Sequence, residues 1–221
     1  MRKVITVVQA RMGSSRLPGK VMMRVQNKTL LELQLERISM ALNCGKIVVA
    51  TSTNQLDDEL VSYVEKLGYE VFRGSESDLL DRHYRCAIKY KADIVAKIPS
   101  DCPLIDREAI EAVFDLFYKG DFDYVSNLHP ATYPDGNDCE VFSFQALEKA
   151  CIEATKSMER EHTTPYFWEH PESFRLGNVI WNVDKDYSMS HRFTLDYLED
   201  YYFIEAVYNE LYPKNPRFNL N

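Results

Sequence analysis

The feature that most constrains the fold is a regular alternation of short apolar runs with helix-like repeats through the first 120 residues. Residues 4–8 and 47–50 are β-branched runs of the kind that parallel sheets bury on both faces. Between them, over residues 30–42, apolar side chains recur at helical spacing. The pattern predicts a β-α-β unit and, as it repeats, a mostly parallel sheet covered by helices on both faces.

The same order continues to about residue 121 and then changes. We expect helices over 56–67, 77–90 and 110–117, the last with Asp106 as its N-cap, and strands at 71–72 and 93–98. Further on we predict shorter strands at 124–125, 140–144, 174–183 and 191–195, mixed with helices at 145–155, 159–169 and 198–211. No linker rich in Gly, Pro or Ser intervenes, so we predict one α/β domain over residues 1–221, with a Rossmann-like three-layer αβα fold and a mostly parallel mixed sheet.

Charge and cysteine content exclude several classes of protein. The formal net charge of −8 argues against a general nucleic-acid surface, because the phosphate backbone would be repelled. The five cysteines are an odd number without C-x-x-C spacing, so we expect free thiols. No apolar run is long enough to span a bilayer and no signal-peptide core precedes the first strand, so we expect a cytoplasmic protein that does not bind membranes.

The loop at residues 9–20, QARMGSSRLPGK, directly follows the first predicted strand. Ligands of open α/β sheets bind outside the carboxyl ends of the strands, where this loop must lie. Its glycines permit close backbone approach, its serines offer donors and its cations attract a polyanion. The predicted nucleotide-binding residues of this loop are Arg11, Gly13, Ser14, Ser15, Arg16 and Lys20.

This loop is not the P-loop of ATPases, because its glycines are one residue too far apart and Val21 stands where Ser or Thr would bind magnesium. A basic surface connection is the alternative. That alternative explains the glycines and the proline, but it leaves the convergence of three cations without a reason.

The loop resembles that of the sugar-acid cytidylyltransferases, which make CMP-activated sialic, ketodeoxyoctonic and related acids. The resemblance covers most of the chain through the ordered segments 99–105, 133–136, 159–162 and 192–196, and it is closest to the branch associated with spore-coat polysaccharide biosynthesis. It implies a nucleotidyltransferase fold with a nucleotide-binding half at 1–120 and an acceptor-side elaboration at 121–221. It also implies transfer of CMP from CTP to an acidic sugar, with release of pyrophosphate, Mg²⁺ as cofactor and catalytic roles for Arg11 and Lys20.

Two aspartates are the predicted metal ligands. Asp101 follows the strand that ends near residue 98, and a carboxylate at that edge suits Mg²⁺, which commonly takes one or two protein ligands. A turn-capping role is the alternative for Asp101. Asp196 follows the predicted strand at 191–195, where an N-cap role for the next helix is equally reasonable. The resemblance implies a second metal ligand there, although the family usually continues with Thr-Pro and this chain has Tyr197-Leu198.

The resemblance also implies the acceptor side of the cleft, for which the candidates are Tyr133, Asp135, Glu140, Arg160 and His162. Arg160 is the leading candidate for binding the carboxylate of the sugar, because its guanidinium forms bidentate pairs. A turn followed by a capped surface helix is the structural alternative for these segments. Thr51, Ser52 and Arg82 are the candidates for contacts to the base.

Two other functions are open. A metal-dependent glycosyltransferase would hold a nucleotide diphosphate with a D-x-D element, and residues 121–123 and 184–186 match that pattern. A non-catalytic nucleotide sensor would have lost the loop cations or Asp101, and both are present. The aromatic-rich second half is compatible with a homodimer.

Overall fold

The helices of the protein pack on a seven-stranded sheet. The structure is a computed structural model that describes residues 2–181 and 186–221. In chain order its strands are β1 (Val4–Gln9), β2 (Arg24–Val25), β3 (Lys28–Thr29), β4 (Lys46–Ser52), β5 (Glu70–Gly74), β6 (Ile94–Pro99), β7 (Tyr124–Ser126), β8 (Glu140–Ser143) and β9 (Leu176–Asn178). The sheet has the order β5-β4-β1-β6-β8-β7-β9, and β2 and β3 pair separately.

Helices cover both faces of this sheet. They are α1 (Leu30–Ser39), α2 (Asp58–Lys66), α3 (Leu79–Tyr90), α4 (Arg107–Lys119), α5 (Phe144–Glu153), α6 (Ser157–His162), α7 (Pro165–Glu169) and α8 (Leu198–Leu211). The apolar sides of α1, α2 and α4 form one core with the sheet, and those of α3, α5 and α7 form a second core on the opposite face. The predicted α/β fold with three layers is therefore confirmed, and Asp106 caps α4 as expected.

Strand direction decides which residues meet at the ligand-binding edge. Strands β5, β4, β1 and β6 are parallel, and β8 alone runs against its neighbours. Consequently the first residue of β8, Glu140, lies beside Lys97 near the end of β6 and beside Ser126 at the end of β7. We call this edge, where the parallel strands end and β8 begins, the carboxyl edge. The loop that precedes β8 therefore reaches the same edge as Asp101.

The predicted strand at 191–195 is wrong, because this segment forms only an isolated bridge between Asp135 and Arg192. Its amides bond to two different loops instead of one neighbouring strand. Phe193 N–H donates to the Asp135 carbonyl at 2.7 Å, and Leu195 N–H donates to the Asp101 carbonyl at 2.8 Å. The chain thus returns to the carboxyl edge as an irregular segment.

Two other predictions need smaller corrections. The helix expected over 159–169 divides into α6 and α7 at Thr163, whose φ of 70° lies in the left-handed region, just before Pro165 begins α7. The strand expected over 174–183 is the shorter β9, and residues 182–183 lie outside the described chain. Within the described ranges, no helix is long and apolar enough to cross a bilayer.

Replacing Gly136 should damage both stability and the site. Gly136 has a φ of +100°, and a Cβ there would lie 2.6 Å from the backbone of Phe193 and Thr194. We expect Gly136→Ala to lower the free energy of unfolding by about 3 kcal/mol, because left-handed strain adds to overpacking against backbone. The control is Gly68→Ala, at φ +84° with nothing within 4 Å of the new Cβ, which should cost only about 1 kcal/mol. Equal losses in urea denaturation would contradict this account.

Candidate active site

The basic loop after β1 folds back on itself around one carbonyl. The Met12 carbonyl accepts hydrogen bonds from Ser14 N–H at 2.9 Å and from Gly19 N–H at 3.0 Å. Gly19 has a φ of 70°, which a residue with a side chain adopts at a cost. The turn then leads into a short 3₁₀ helix that begins at Lys20, so the lysine side chain is buried and points across the carboxyl edge.

Asp57 anchors this loop to the end of β4. Met12 N–H donates to the Asp57 carboxylate at 2.8 Å, and the Thr51 hydroxyl donates to it at the same distance. The backbone N–H and hydroxyl of Ser52 donate as well. Burial raises the pKa of Asp57, but these hydrogen bonds outweigh it and hold the pKa below its usual value. The hydroxyls of Thr51 and Ser52 are therefore committed to supporting the loop, and the expected contact of Ser52 with the base is not supported.

An open cleft of about 410 Å³ lies between the loop and the ends of β5 and β6. Most of the predicted nucleotide-binding residues line it, whereas Gly13, Thr51 and Ser52 do not. The lining residues with polar or charged side chains are Gln9, Arg11, Ser14, Ser15, Arg16, Lys20, Glu76, Ser77, Arg82, Ser100, Asp101, Glu161 and His162.

Lys20 brings the two predicted metal ligands together. Its Nζ lies 3.1 Å from the Asp196 carboxylate and 3.7 Å from the Asp101 carboxylate, and it also donates to the Leu195 carbonyl at 2.6 Å. The side chains of Lys20 and Asp196 are about nine-tenths buried, and that of Asp101 is 32% exposed. Sequence-distant carboxylates thus meet at one ammonium group; Lys20 and Asp101 line the cleft, whereas Asp196 does not.

Asp196 is surrounded by three cations. Besides Lys20, it accepts from Arg16 at 2.6 Å and from Arg192 at 2.9 Å. Burial raises the pKa of Asp196, but these positive charges outweigh it and hold the pKa below its ordinary value. The capping role considered for Asp196 is wrong, because the N-cap position of α8 is Tyr197 and the Asp196 carboxylate accepts from the three cations instead.

The donor set at this centre fits a magnesium ion. Mg²⁺ in phosphoryl-transfer sites is held by one or two carboxylates together with substrate oxygens. Asp101 and Asp196 each supply a carboxylate near Lys20 Nζ, and the partial exposure of Asp101 leaves that carboxylate open to the cleft. In the described chain no cluster of three or more metal-binding side chains occurs. A metal held by these two carboxylates would need further ligands from substrate or water.

The acceptor-side predictions divide into two groups. His162 lines the cleft at the end of α6. Tyr133 and Asp135 line a neighbouring cavity of about 440 Å³ that Arg192 also borders. Arg192 donates to both Asp135 and Asp196, so this arginine links the neighbouring cavity to the centre around Lys20.

The other two acceptor-side predictions are not supported. Arg160 donates twice to Asp78 and once to the Cys151 carbonyl, and it lines neither cavity. Its guanidinium joins α6 to the N-terminus of α3. Glu140 is 2% exposed and accepts from Lys97 and from the Tyr124 hydroxyl, so it belongs to a buried ion pair within the sheet.

The D-x-D element at 121–123 lies away from the cleft. Asp121 and Asp123 pair with Arg175 near the start of β7, at the edge opposite the basic loop. The second match, at 184–186, falls largely outside the described residues, because Asp184 and Lys185 belong to the gap. The 121–123 segment therefore gives no support to a glycosyltransferase.

Comparisons with known proteins agree with this geometry. The family model for cytidylyltransferases matches residues 5–216. The chain is 31% identical over 215 residues to the spore coat polysaccharide biosynthesis protein SpsF of Bacillus subtilis, covering 95% of this chain and 88% of SpsF. The chain belongs to the cytidylyltransferase family.

Two further likenesses extend this assignment. A 3-deoxy-manno-octulosonate cytidylyltransferase of Hydrogenovibrio crunogenus is 26% identical over 214 residues, covering 93% of this chain and 84% of that protein. A solved cytidylyltransferase structure from Leptospira borgpetersenii superposes with a TM-score of 0.92 at 33% identity, covering 99% of this chain and 91% of that one. This cytidylyltransferase is accordingly a nucleotidyltransferase enzyme.

Asp138 and Arg192 are site residues of this cytidylyltransferase that sequence reasoning missed. Asp138 precedes β8 and lines the neighbouring cavity. Burial and the nearby carboxylates of Asp101 and Glu140 raise its pKa to about 7. Asp138 does not follow a strand but precedes one, because β8 is antiparallel to its neighbours and begins at the carboxyl edge. Reasoning from residues that follow strands therefore misses it. Arg192 could have been found from its position four residues before Asp196.

The raised pKa of Asp138 predicts a pH-dependent stability. The folded state holds this proton more tightly than the unfolded chain, whose aspartate pKa is about 4. The stabilisation from the protonated carboxyl is therefore complete below pH 4 and is lost as the pH rises through 7. We expect Asp138→Asn to raise the melting temperature relative to wild type at pH 8 and to change it little at pH 4, in magnesium-free buffer. An equal effect at both pH values would contradict the raised pKa.

Proposed function

We propose that this enzyme transfers CMP from CTP to an acidic sugar, releases pyrophosphate and serves the synthesis of a surface polysaccharide. The observation that carries the proposal is the centre where Lys20 meets Asp101 and Asp196 beneath the basic loop. Two relatives, a spore coat polysaccharide biosynthesis protein and an octulosonate cytidylyltransferase, support the acidic acceptor and the biosynthetic role.

The basic residues of the cleft have separate roles toward the triphosphate. Arg11 and Arg16, whose side chains are about half exposed, bind the outer phosphates and stabilise the charge on the leaving pyrophosphate. Lys20 is held in place by Asp196 and the Leu195 carbonyl, so it presents a fixed positive charge near the α-phosphate.

The reaction is an in-line displacement at the α-phosphorus. A hydroxyl oxygen of the sugar forms the new P–O bond, the bond to the β-phosphate oxygen breaks, and the electron pair leaves with pyrophosphate. His162 lines the cleft and is our candidate to receive the hydroxyl proton. Asp101 and Asp196 would hold Mg²⁺, which when bound supplies positive charge against the phosphate oxygens.

The proposed substrates can be tested by a pyrophosphate-release assay. We expect magnesium-dependent pyrophosphate release with CTP and at least one of a panel of sialic, octulosonic and related sugar acids. Turnover with ATP, GTP or UTP should be lower. Neutral sugars of the same size are the matched control for the acceptor carboxylate. Release of pyrophosphate with another triphosphate but not with CTP would contradict the cytidylyl assignment.

The two carboxylates should behave differently when they are neutralised. Asp101→Asn and Asp196→Asn should each lower turnover by about 100-fold or more, because the bound metal contributes several kcal/mol to transition-state stabilisation. Asp196→Asn should also destabilise the metal-free protein by about 2 kcal/mol, since it neutralises the largely buried carboxylate that Lys20, Arg16 and Arg192 share. Asp101→Asn should leave the melting temperature unchanged or raise it, because it removes a negative charge that repels the nearby carboxylate of Asp138 and raises its pKa.

The control for this comparison is Asp123→Asn, which removes a carboxylate from the Arg175 pair at the opposite edge. It should change stability slightly and leave turnover intact. If Asp101→Asn or Asp196→Asn retained wild-type turnover, the proposed metal site would be wrong.

A further inference from the structure

Two side chains in the cleft have buried polar atoms with no partner among the described residues. The amide oxygen of Gln9 is shielded from solvent and accepts no hydrogen bond, and the Nε–H of Arg82 is likewise buried and unbonded. Both residues line the cleft. A buried polar group without a partner costs free energy, so such groups are usually satisfied by something else, including a ligand.

Arg82 is a buried cation without a paired carboxylate in the described chain. It is 2% exposed, and its two Nη groups reach only backbone carbonyls, Ala50 at 3.4 Å and Glu76 at 3.3 Å. Both contacts are long for hydrogen bonds to a guanidinium. Each Nη carries two hydrogens, so one donor on each nitrogen remains available in addition to Nε–H.

Gln9 and Arg82 lie on the same face of the sheet, against a shared residue. Gln9 follows Val7 by two positions on β1, and Val7 belongs to the core beneath α3, so the Gln9 side chain faces α3 as well. Gln9 is also directly opposite Ala50 in the β1–β4 ladder. Since Arg82 donates to the Ala50 carbonyl, its guanidinium and the Gln9 amide border the same part of the cleft.

We propose that Gln9 and Arg82 read the hydrogen-bonding edge of cytosine. This inference rests on the proposed function, because it assumes that a cytidine nucleotide occupies the cleft. Cytosine presents in sequence an amino donor at N4, an acceptor at N3 and an acceptor at O2. One amide acceptor beside a two-donor guanidinium fork is the complement of that order.

The two residues contribute differently to selectivity. Uracil carries a donor at N3, which a guanidinium cannot accept because arginine has no acceptor atom. The Gln9 amide can rotate to offer either its oxygen or its NH₂, so it can serve the N4 amino group of cytosine and the O4 atom of uracil alike. Arg82 therefore sets the preference for cytosine over uracil, whereas Gln9 adds affinity for both bases.

Arg82 can be tested by substitution because no carboxylate in the described chain compensates its burial. Removing a buried charge that lacks a partner relieves a desolvation cost, so an apolar side chain of similar length should not unfold the protein. The informative variant is Arg82→Met, and its matched control is Arg85→Met on the exposed side of the same helix, where Arg85 pairs only with Asp81.

The experiment measures binding of CTP, UTP and inorganic tripolyphosphate to the full chain by titration calorimetry with magnesium. We expect Arg82→Met to reduce the ratio of CTP affinity to UTP affinity by about tenfold or more, because a bidentate contact to a base contributes on that scale. Tripolyphosphate affinity and melting temperature should stay near wild type. Gln9→Leu should weaken CTP and UTP to a similar extent, and Arg85→Met should change neither.

Several results would overturn this inference. An unchanged CTP to UTP ratio in Arg82→Met would do so, and so would an equal loss of tripolyphosphate affinity, which would make Arg82 a phosphate-binding residue. A failure of the proposed function looks different, because the wild-type protein itself would then show no preference for CTP. The base-reading assignment alone is overturned when wild type prefers CTP and Arg82→Met retains that preference.

Discussion

The Asp196 carboxylate holds together segments from opposite ends of the chain. Lys20 and Arg16 come from the loop after the first strand, and Arg192 comes from the irregular segment before the last helix. Three cations around one largely buried carboxylate form a network whose geometry favours the ionised acid. The position of Lys20 therefore depends on the C-terminal segment, and the two halves of the chain cannot assemble the centre separately.

The parallel half of the fold could be predicted from sequence because its signals are local. β-Branched runs alternate with helical repeats, and each pattern is complete within a dozen residues. The same reasoning failed at 191–195, where the predicted strand is an irregular segment with one isolated bridge. That segment bonds to the Asp101 and Asp135 carbonyls, which belong to two separate loops, and no local pattern encodes such partners.

The candidate site was predictable where residue type limits its chemistry, and less so elsewhere. A glycine-rich basic loop at a strand end has few uses, so its cations were placed in the cleft correctly. Glu140 and Arg160 carry charge too, but both are committed to the scaffold. Glu140 forms an ion pair with Lys97, and Arg160 donates two hydrogen bonds to Asp78. Whether a charged residue meets a ligand or another residue is decided by tertiary contacts that spacing does not report. The binding of a magnesium ion by Asp101 and Asp196 stays a prediction.

The reversed direction of β8 places the linings of the two cavities on different parts of the chain. Most residues that line the cleft follow the parallel strands β1, β5 and β6. The segment at 133–139 instead enters the carboxyl edge ahead of β8, whose register is fixed by the buried pair of Glu140 with Lys97. No residue of 133–139 pairs in the ladder of β8 with β6 and β7. Away from Gly136, substitutions there can therefore reshape the neighbouring cavity while the sheet and the cleft beside the basic loop keep their form.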